Sequence, residues 1–143
     1  MRRNGSSTMI NVENTDQRFY IDQSTIPKAG YGLFAEVTIE KGSLLNILGI
    51  VVIKNSLADL CTKYAESYKF SVTPLDENNQ SNLKLIAVGY AALVNHSEQK
   101  RKRNVQIKYL EDGGLAYEFT KKVNPGQEIL TDYGPNWRDI CDI

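Results

Sequence analysis

Turn-forming residues cut this chain into short pieces, and that punctuation constrains its fold more than any other feature. Glu111-Asp112-Gly113-Gly114 separates Val105–Leu110 from Leu115–Thr120, which reads as a β-hairpin because glycines accept the backbone angles of a tight reversal. Glu40-Lys41-Gly42 sets a turn between strands predicted at Gly32–Thr38 and Leu44–Lys54, and Asn124-Pro125-Gly126 precedes a short strand at Glu128–Leu130. Arg18–Ser24 alternates apolar and polar residues until Pro27-Lys28-Ala29-Gly30 interrupts it. Tyr68–Val72 and Leu83–Val88 read as further strands, with the polar loop Asp76–Asn82 between them. Helical signals are few. Leu57, Leu60, Cys61 and Tyr64 share one face of a helix that Asn55 or Ser56 can cap. Tyr90–Val94 suits one helical turn and Pro135–Ile143 a short terminal helix. The pattern predicts a mostly β fold with a minor α component.

At 143 residues the chain suits one domain with a real core. Its 17 lysines and arginines balance 17 aspartates and glutamates, so no global field draws it to nucleic acid or anionic lipid, and any electrostatic partner has to be recognised locally. Cys61 and Cys141 stand far apart without a Cys/His ligand pattern. No metal site or disulfide framework is expected, and an intracellular setting, cytoplasmic or nuclear, fits that usage. The apolar runs Leu44–Ile53 and Leu85–Val94 are roughly half the length a bilayer requires, so no membrane association is expected. Residues 1–16 have two arginines but no apolar stretch behind them and read as a disordered tail, leaving 17–143 as the folded part.

Three stretches carry possible chemistry: AGYGLFA at 29–35, LVNHS at 93–97 and GQEILTDYG at 126–134. Taken singly, each has an ordinary structural explanation. Ala29-Gly30-Tyr31-Gly32 can be a sharp bend, since glycine tolerates positive φ. Asn95-His96-Ser97 can be a loop held by side-chain-to-backbone bonds. His96, the sole histidine, has no acidic or cysteine ligand pattern around it and suits a satisfied structural role. Tyr133 can be a half-buried tyrosine with a bonded hydroxyl.

In this order and at these separations the stretches resemble the SET domain family of S-adenosylmethionine-dependent lysine methyltransferases. That family has a GxG stretch near its start, an NHS segment two-thirds along and a GEExxxDYG-like segment near its end. Tyr68-Lys69-Phe70 is similar to its Tyr-x-Phe strand, and the resemblance covers roughly residues 17 to 137. It implies several short sheets, a few short helices and a C-terminal pseudoknot in which the second and third stretches cross.

The resemblance also implies roles. Lys28, Ala29, Gly30, Tyr31, Gly32, Asn95 and His96 would contact the cofactor, largely through backbone, with His96 a positioning residue and not a base. Trp137 would stack on the adenine, or else anchor a lid. Tyr133 and Tyr68 would orient the substrate amine, and Thr131, Phe70 and Tyr90 would line its channel. Thr131 stands where many relatives place phenylalanine or tyrosine, which implies room for di- or trimethylation. Histones are among the protein substrates this implies.

The chain departs from the family at three places. Ala92-Leu93-Val94 replaces the usual Arg-Phe-Ile, a longer basic segment at 98–104 replaces Cys-x-Pro-Asn, and the cysteine-rich zinc segments are absent. It resembles the short, stand-alone viral or bacterial members, whose lid must come from Pro135–Ile143 or from a second subunit in a homodimer. Lys100-Arg101-Lys102-Arg103 reads either as a solvated loop or as a contact for an acidic partner or nucleic acid. The rival to an enzyme is an inactive SET-like module that binds a peptide or partner.

Overall fold

The computed structural model describes residues 16–57, 60, 69–71 and 83–134. They fall into two compact units, each assembled from separated stretches: one holds residues up to Leu44 with Leu93–Gln106 and Glu118–Asp132, the other Leu45–Ala92, Ile107–Tyr117 and Tyr133 onward.

The first unit begins with β1 (Phe19–Gln23) and β2 (Tyr31–Ala35), which pair antiparallel from Phe19↔Ala35 to Gln23↔Tyr31. The connection between them is pinned by Ser24 N–H donating to the Gly30 carbonyl at 2.8 Å, and inside it Ala29 N–H donates to the Ile26 carbonyl at 3.2 Å. Pro27 therefore takes the second place of a four-residue turn and Lys28 the third, with φ +66°, a position that glycine or asparagine usually fills. Phe19, Leu33, Phe34, Ala35, Val94, Val105, Phe119, Val123 and Ile129 form the unit's core. Phe19 stacks on Phe119 with ring centroids 6.2 Å apart. Arg18 lies 4.9 Å over the Phe19 ring, holds Asp16 at 2.9 Å and donates to the Leu44 carbonyl.

The second unit holds a three-stranded sheet ordered β4-β6-β5, from Leu48–Ile53, Leu83–Val88 and Lys69–Ser71. Val52, Leu85, Ala87, Tyr90, Leu115, Ala116 and Tyr117 are buried in this unit. β4 is an edge strand, and Ile50 on it is 63% exposed. A 3-10 helix, Gly89–Leu93, follows β6 directly where one helical turn was expected.

β3 (Leu44–Asn46), β9 (Leu115–Phe119) and β8 (Val105–Tyr109) form another sheet, in that order, and each contributes residues to both units. The predicted hairpin is there, closed by Leu110 N–H on the Gly114 carbonyl at 2.8 Å. The single strand expected over Leu44–Lys54 is instead two, β3 and β4, in different sheets. The break falls at Ile47, which is buried and whose N–H turns to the Leu115 carbonyl at 2.9 Å. The strand expected over Glu128–Leu130 is displaced to β10, Leu130–Thr131, with Glu128 making only an isolated bridge to Phe34. Most of the helix expected through Leu57–Tyr64, and all of the one expected over 135–143, lies outside the described residues, as do residues 1–15, Cys61 and Cys141. Among the described residues no helix is long and apolar enough to cross a membrane.

Candidate functional site

In the first unit, β2, which opens with Tyr31-Gly32 directly after Gly30, is braced by one carboxylate. Glu128 is 6% exposed, and four donors converge on it. Its Oε2 accepts from Ser24 Oγ at 2.7 Å and Asn95 Nδ2 at 3.2 Å; its Oε1 accepts from Thr25 N–H at 2.8 Å and from Thr25 Oγ1 at 2.5 Å. Buried carboxylates are tolerated when their lone pairs are used this way. Gly32 is required beside it, because a Cβ there would stand 2.3 Å from Glu128 Oε2. Asn95 also donates from Nδ2 to the Tyr31 carbonyl at 3.1 Å, so one amide links the NHS segment to both the glycine strand and the carboxylate.

Two strands bring the second and third stretches side by side. β7 (Asn95–His96) runs parallel to β10, with Asn95 opposite Leu130 and His96 opposite Thr131. Ser97 N–H continues the ladder to the Thr131 carbonyl at 3.1 Å. Buried Asn104 bolts the same segment from behind: its Nδ2 donates to the Glu128 carbonyl and its Oδ1 accepts from Leu130 N–H, both at 2.9 Å. Thr131 is buried, and its hydroxyl donates to the Val105 carbonyl at 3.2 Å.

His96 is buried, with Nδ1 3.8 Å from Asp132 Oδ1. Burial holds its pKa below the ordinary 6.5, the Arg103 charge adds to that, and Asp132 and Glu98 oppose it. Arg103 in turn donates to Asp132 Oδ2 at 3.1 Å and to the Ser97 carbonyl at 2.7 Å. These surroundings favour the neutral imidazole.

In the second unit, Tyr90 and Tyr117 are buried and Phe70 meets Tyr117 edge-on, with ring centroids 6.0 Å apart and planes at 82°. Burial raises the Tyr117 phenol well above the ordinary tyrosine value, and Tyr133 adds to that shift. Tyr133 therefore lies in electrostatic range of Tyr117. Phe70, Tyr90 and Tyr133 belong to this unit; Tyr68 and Trp137 lie outside the described residues.

The SET domain family model matches residues 30–134, a span that runs from the glycine strand to Tyr133-Gly134. The chain belongs to the SET domain family.

Solved structures share this SET domain's fold. A Plasmodium falciparum protein described as a histone methyltransferase matches with 22% identity and a TM-score of 0.57, over 85% of this chain and 96% of that one. A Polycomb Repressive Complex 2 from Chaetomium thermophilum, bound to S-adenosylmethionine in an autoinhibited conformation, matches with 20% identity and a TM-score of 0.63 over 83% of this chain. A humanized mutant of that complex bound to the inhibitor GSK126 matches with 18% identity and a TM-score of 0.64. The SET domain here spans only 16% and 15% of those two chains. No curated protein sequence matches it.

Sequence reasoning did not single out Glu128 as the brace of the glycine strand, Asn104 as the clamp behind β10 or Tyr117 as the buried ring against Phe70. Glu128 sits inside a quoted motif, and its one available signal was an acidic residue next to the apolar Ile129-Leu130. Its partners Ser24 and Thr25 lie 104 and 103 positions away, a pairing that no local pattern contains. Among the described residues no group of three or more His, Cys, Asp or Glu side chains is placed to hold a metal ion.

Proposed function

We propose that this SET domain is a protein-lysine N-methyltransferase that uses S-adenosylmethionine and leaves S-adenosylhomocysteine. The observation that carries the reading is the braced glycine strand. Tyr31 is 68% exposed, and around Gly30 nothing lies within 4 Å of where a Cβ would be. The backbone at Lys28–Tyr31 is thus accessible, while at the buried Gly32 Glu128 and Asn95 fix the strand from within. Such a cradle fits a small molecule that must approach main chain closely. Lys28, Ala29, Gly30, Tyr31 and Gly32 would hold the cofactor, together with Asn95 and His96, and Trp137 would face its adenine.

When bound, S-adenosylmethionine supplies an electrophilic methyl group on a sulfonium. What remains for the protein is to align a lysine amine and present it neutral. A free lysine has a pKa of about 10.4, so a dry, narrow approach has to favour loss of its proton before attack. Tyr133 and Tyr68 would orient the amine lone pair, and Phe70, Tyr90 and Thr131 would shape the channel. Buried, uncharged phenols such as Tyr117 suit that task because they add no competing ion. Thr131 in place of a bulky aromatic leads us to assign di- or trimethylated products, on histone or other protein substrates in the nucleus or cytoplasm.

The test is transfer of a labelled methyl group from S-adenosylmethionine to histones and cell-extract proteins, with Tyr133→Phe alongside and cofactor binding followed by calorimetry. Label on lysine that is lost in the variant supports the enzyme, and product mass spectra containing only monomethyl-lysine would remove the role given to Thr131. A chain that neither binds the cofactor nor transfers label is an inert peptide-binding module.

A further inference from the structure

We infer that the first unit carries a binding site for the phosphate backbone of a nucleic-acid duplex, in a groove that shares Thr25 and Glu128 with the brace of the glycine strand. An open groove of about 550 Å³ is lined by Arg101 and Lys102 from one segment and Lys121 and Lys122 from another, with Asn124 and Gln127 on its rim. All four cations are exposed, and the one acid among the lining residues, Glu128, is buried with both oxygens committed to Ser24, Thr25 and Asn95. In a chain whose charges cancel overall, 17 against 17, this is a local concentration of four positive charges, offset among the described lining residues only by the buried Glu128 carboxylate.

The cluster is also built in advance. Thr120 N–H donates to the Asn104 carbonyl at 2.9 Å, and Lys121 Nζ donates to the Arg101 carbonyl. Asn104 is itself clamped by its side chain to the Glu128 carbonyl and Leu130 N–H. The two cationic pairs are therefore joined by an exposed bond between Lys121 and Arg101 and steadied by the buried bonds of Asn104, which lowers the ordering cost of binding.

The lining chemistry selects the ligand. Amides and cations match a regular run of phosphates, as Lys, Arg, Asn and Gln commonly contact nucleic-acid backbone. Among the described residues no aromatic ring lines the groove, and a lining without a platform for stacking unpaired bases favours a duplex over a single strand. Among the described lining residues the one apolar side chain, Leu130, is buried, so these residues offer no pocket to anchor the side chains of an acidic peptide. The site would engage nucleic acid beside a protein target without reading its sequence.

The experiment is fluorescence anisotropy of the full chain with a labelled, mixed-sequence 20-base-pair DNA duplex across a salt series. Four phosphate contacts give a slope of log Kobs against log salt near −3.6, or roughly a hundredfold loss of affinity between 50 and 200 mM salt. The double variant Lys102→Ala, Lys122→Ala, with its fold checked by circular dichroism, is expected to lower the slope by about 2. If that variant misfolds, Lys122→Ala alone should lower it by about 1. No binding at 50 mM salt, or a slope unchanged in a folded variant, overturns the site. Equal competition by poly-glutamate also overturns the duplex assignment and leaves an acidic protein surface as the ligand.

Discussion

Gly32 and Glu128 share one space: the position a side chain would take at residue 32 lies 2.3 Å from Glu128 Oε2. The carboxylate cannot retreat easily, since Ser24, Thr25 and Asn95 hold it from three directions. Gly32→Ala is therefore expected to destabilise the SET domain by about 1–3 kcal/mol, the usual range for overpacking, and to weaken cofactor binding more than its methyl group alone would suggest. Urea unfolding and calorimetry on the same variant check both effects; unchanged midpoint and affinity would mean that the brace yields freely.

Glu128→Gln keeps the size of the side chain and removes its symmetry. If the amide nitrogen takes the place of Oε1 it faces the Thr25 N–H, which can only donate; in the place of Oε2 it faces Asn95 Nδ2, whose amide is fixed by its bond to the Tyr31 carbonyl. Either orientation sets donor against donor, at about 1–3 kcal/mol for each buried group left without an acceptor. A lower urea midpoint is expected, with weakened S-adenosylmethionine binding, and Glu128→Ala should be worse than Glu128→Gln.

These two residues show how far the sequence could be read. The order of AGYG, NHS and DYG, with the turn chemistry between them, was enough to indicate the family and the mostly β fold, because each of those signals is local. The hairpin around Gly113-Gly114 and the helical turn at 89–93 are local in the same sense. The split of Leu44–Lys54 into β3 and β4 was not legible, because its cause is a long-range bond from Ile47 to Leu115 on a different strand. Glu128 was invisible as a brace for the same reason, and so was the meeting of Arg101-Lys102 with Lys121-Lys122, whose link depends on Asn104. Chemistry that depends on one segment could be read ahead; chemistry that depends on which distant segments meet could not.

Lys28 adopts φ +66° as the third residue of the Ile26–Ala29 turn, a backbone state that costs a residue with a side chain about 1–2 kcal/mol. Glycine removes that strain but gains freedom in the unfolded chain, at about 0.5–1 kcal/mol. Lys28→Gly is thus expected to raise stability by up to about 1 kcal/mol, while Lys28→Ala, which keeps the strain, gives no gain. If both variants unfold at the same urea concentration, the turn is not strained in this way. A parallel fall in S-adenosylmethionine affinity for both would assign the Lys28 side chain, and not its backbone, to the cofactor.

His96 predicts the acid limb of the stability curve. Burial and, secondarily, Arg103 hold its folded pKa below 6.5, against the weaker pull of Asp132 and Glu98. The unfolded chain then binds more protons than the folded one as pH falls below 6.5, so the stability associated with a neutral His96 is complete above that value and declines as acid approaches the folded pKa. Urea midpoints measured between pH 7.5 and 5 should fall more steeply for the parent chain than for His96→Gln, which cannot take up the proton. Asp132→Asn removes the first of the two groups that favour the charged imidazole, so it should depress the His96 pKa further and steepen the decline. If His96→Gln and the parent chain show parallel pH profiles, His96 titrates alike in the folded and unfolded states and is not the buried neutral group described here.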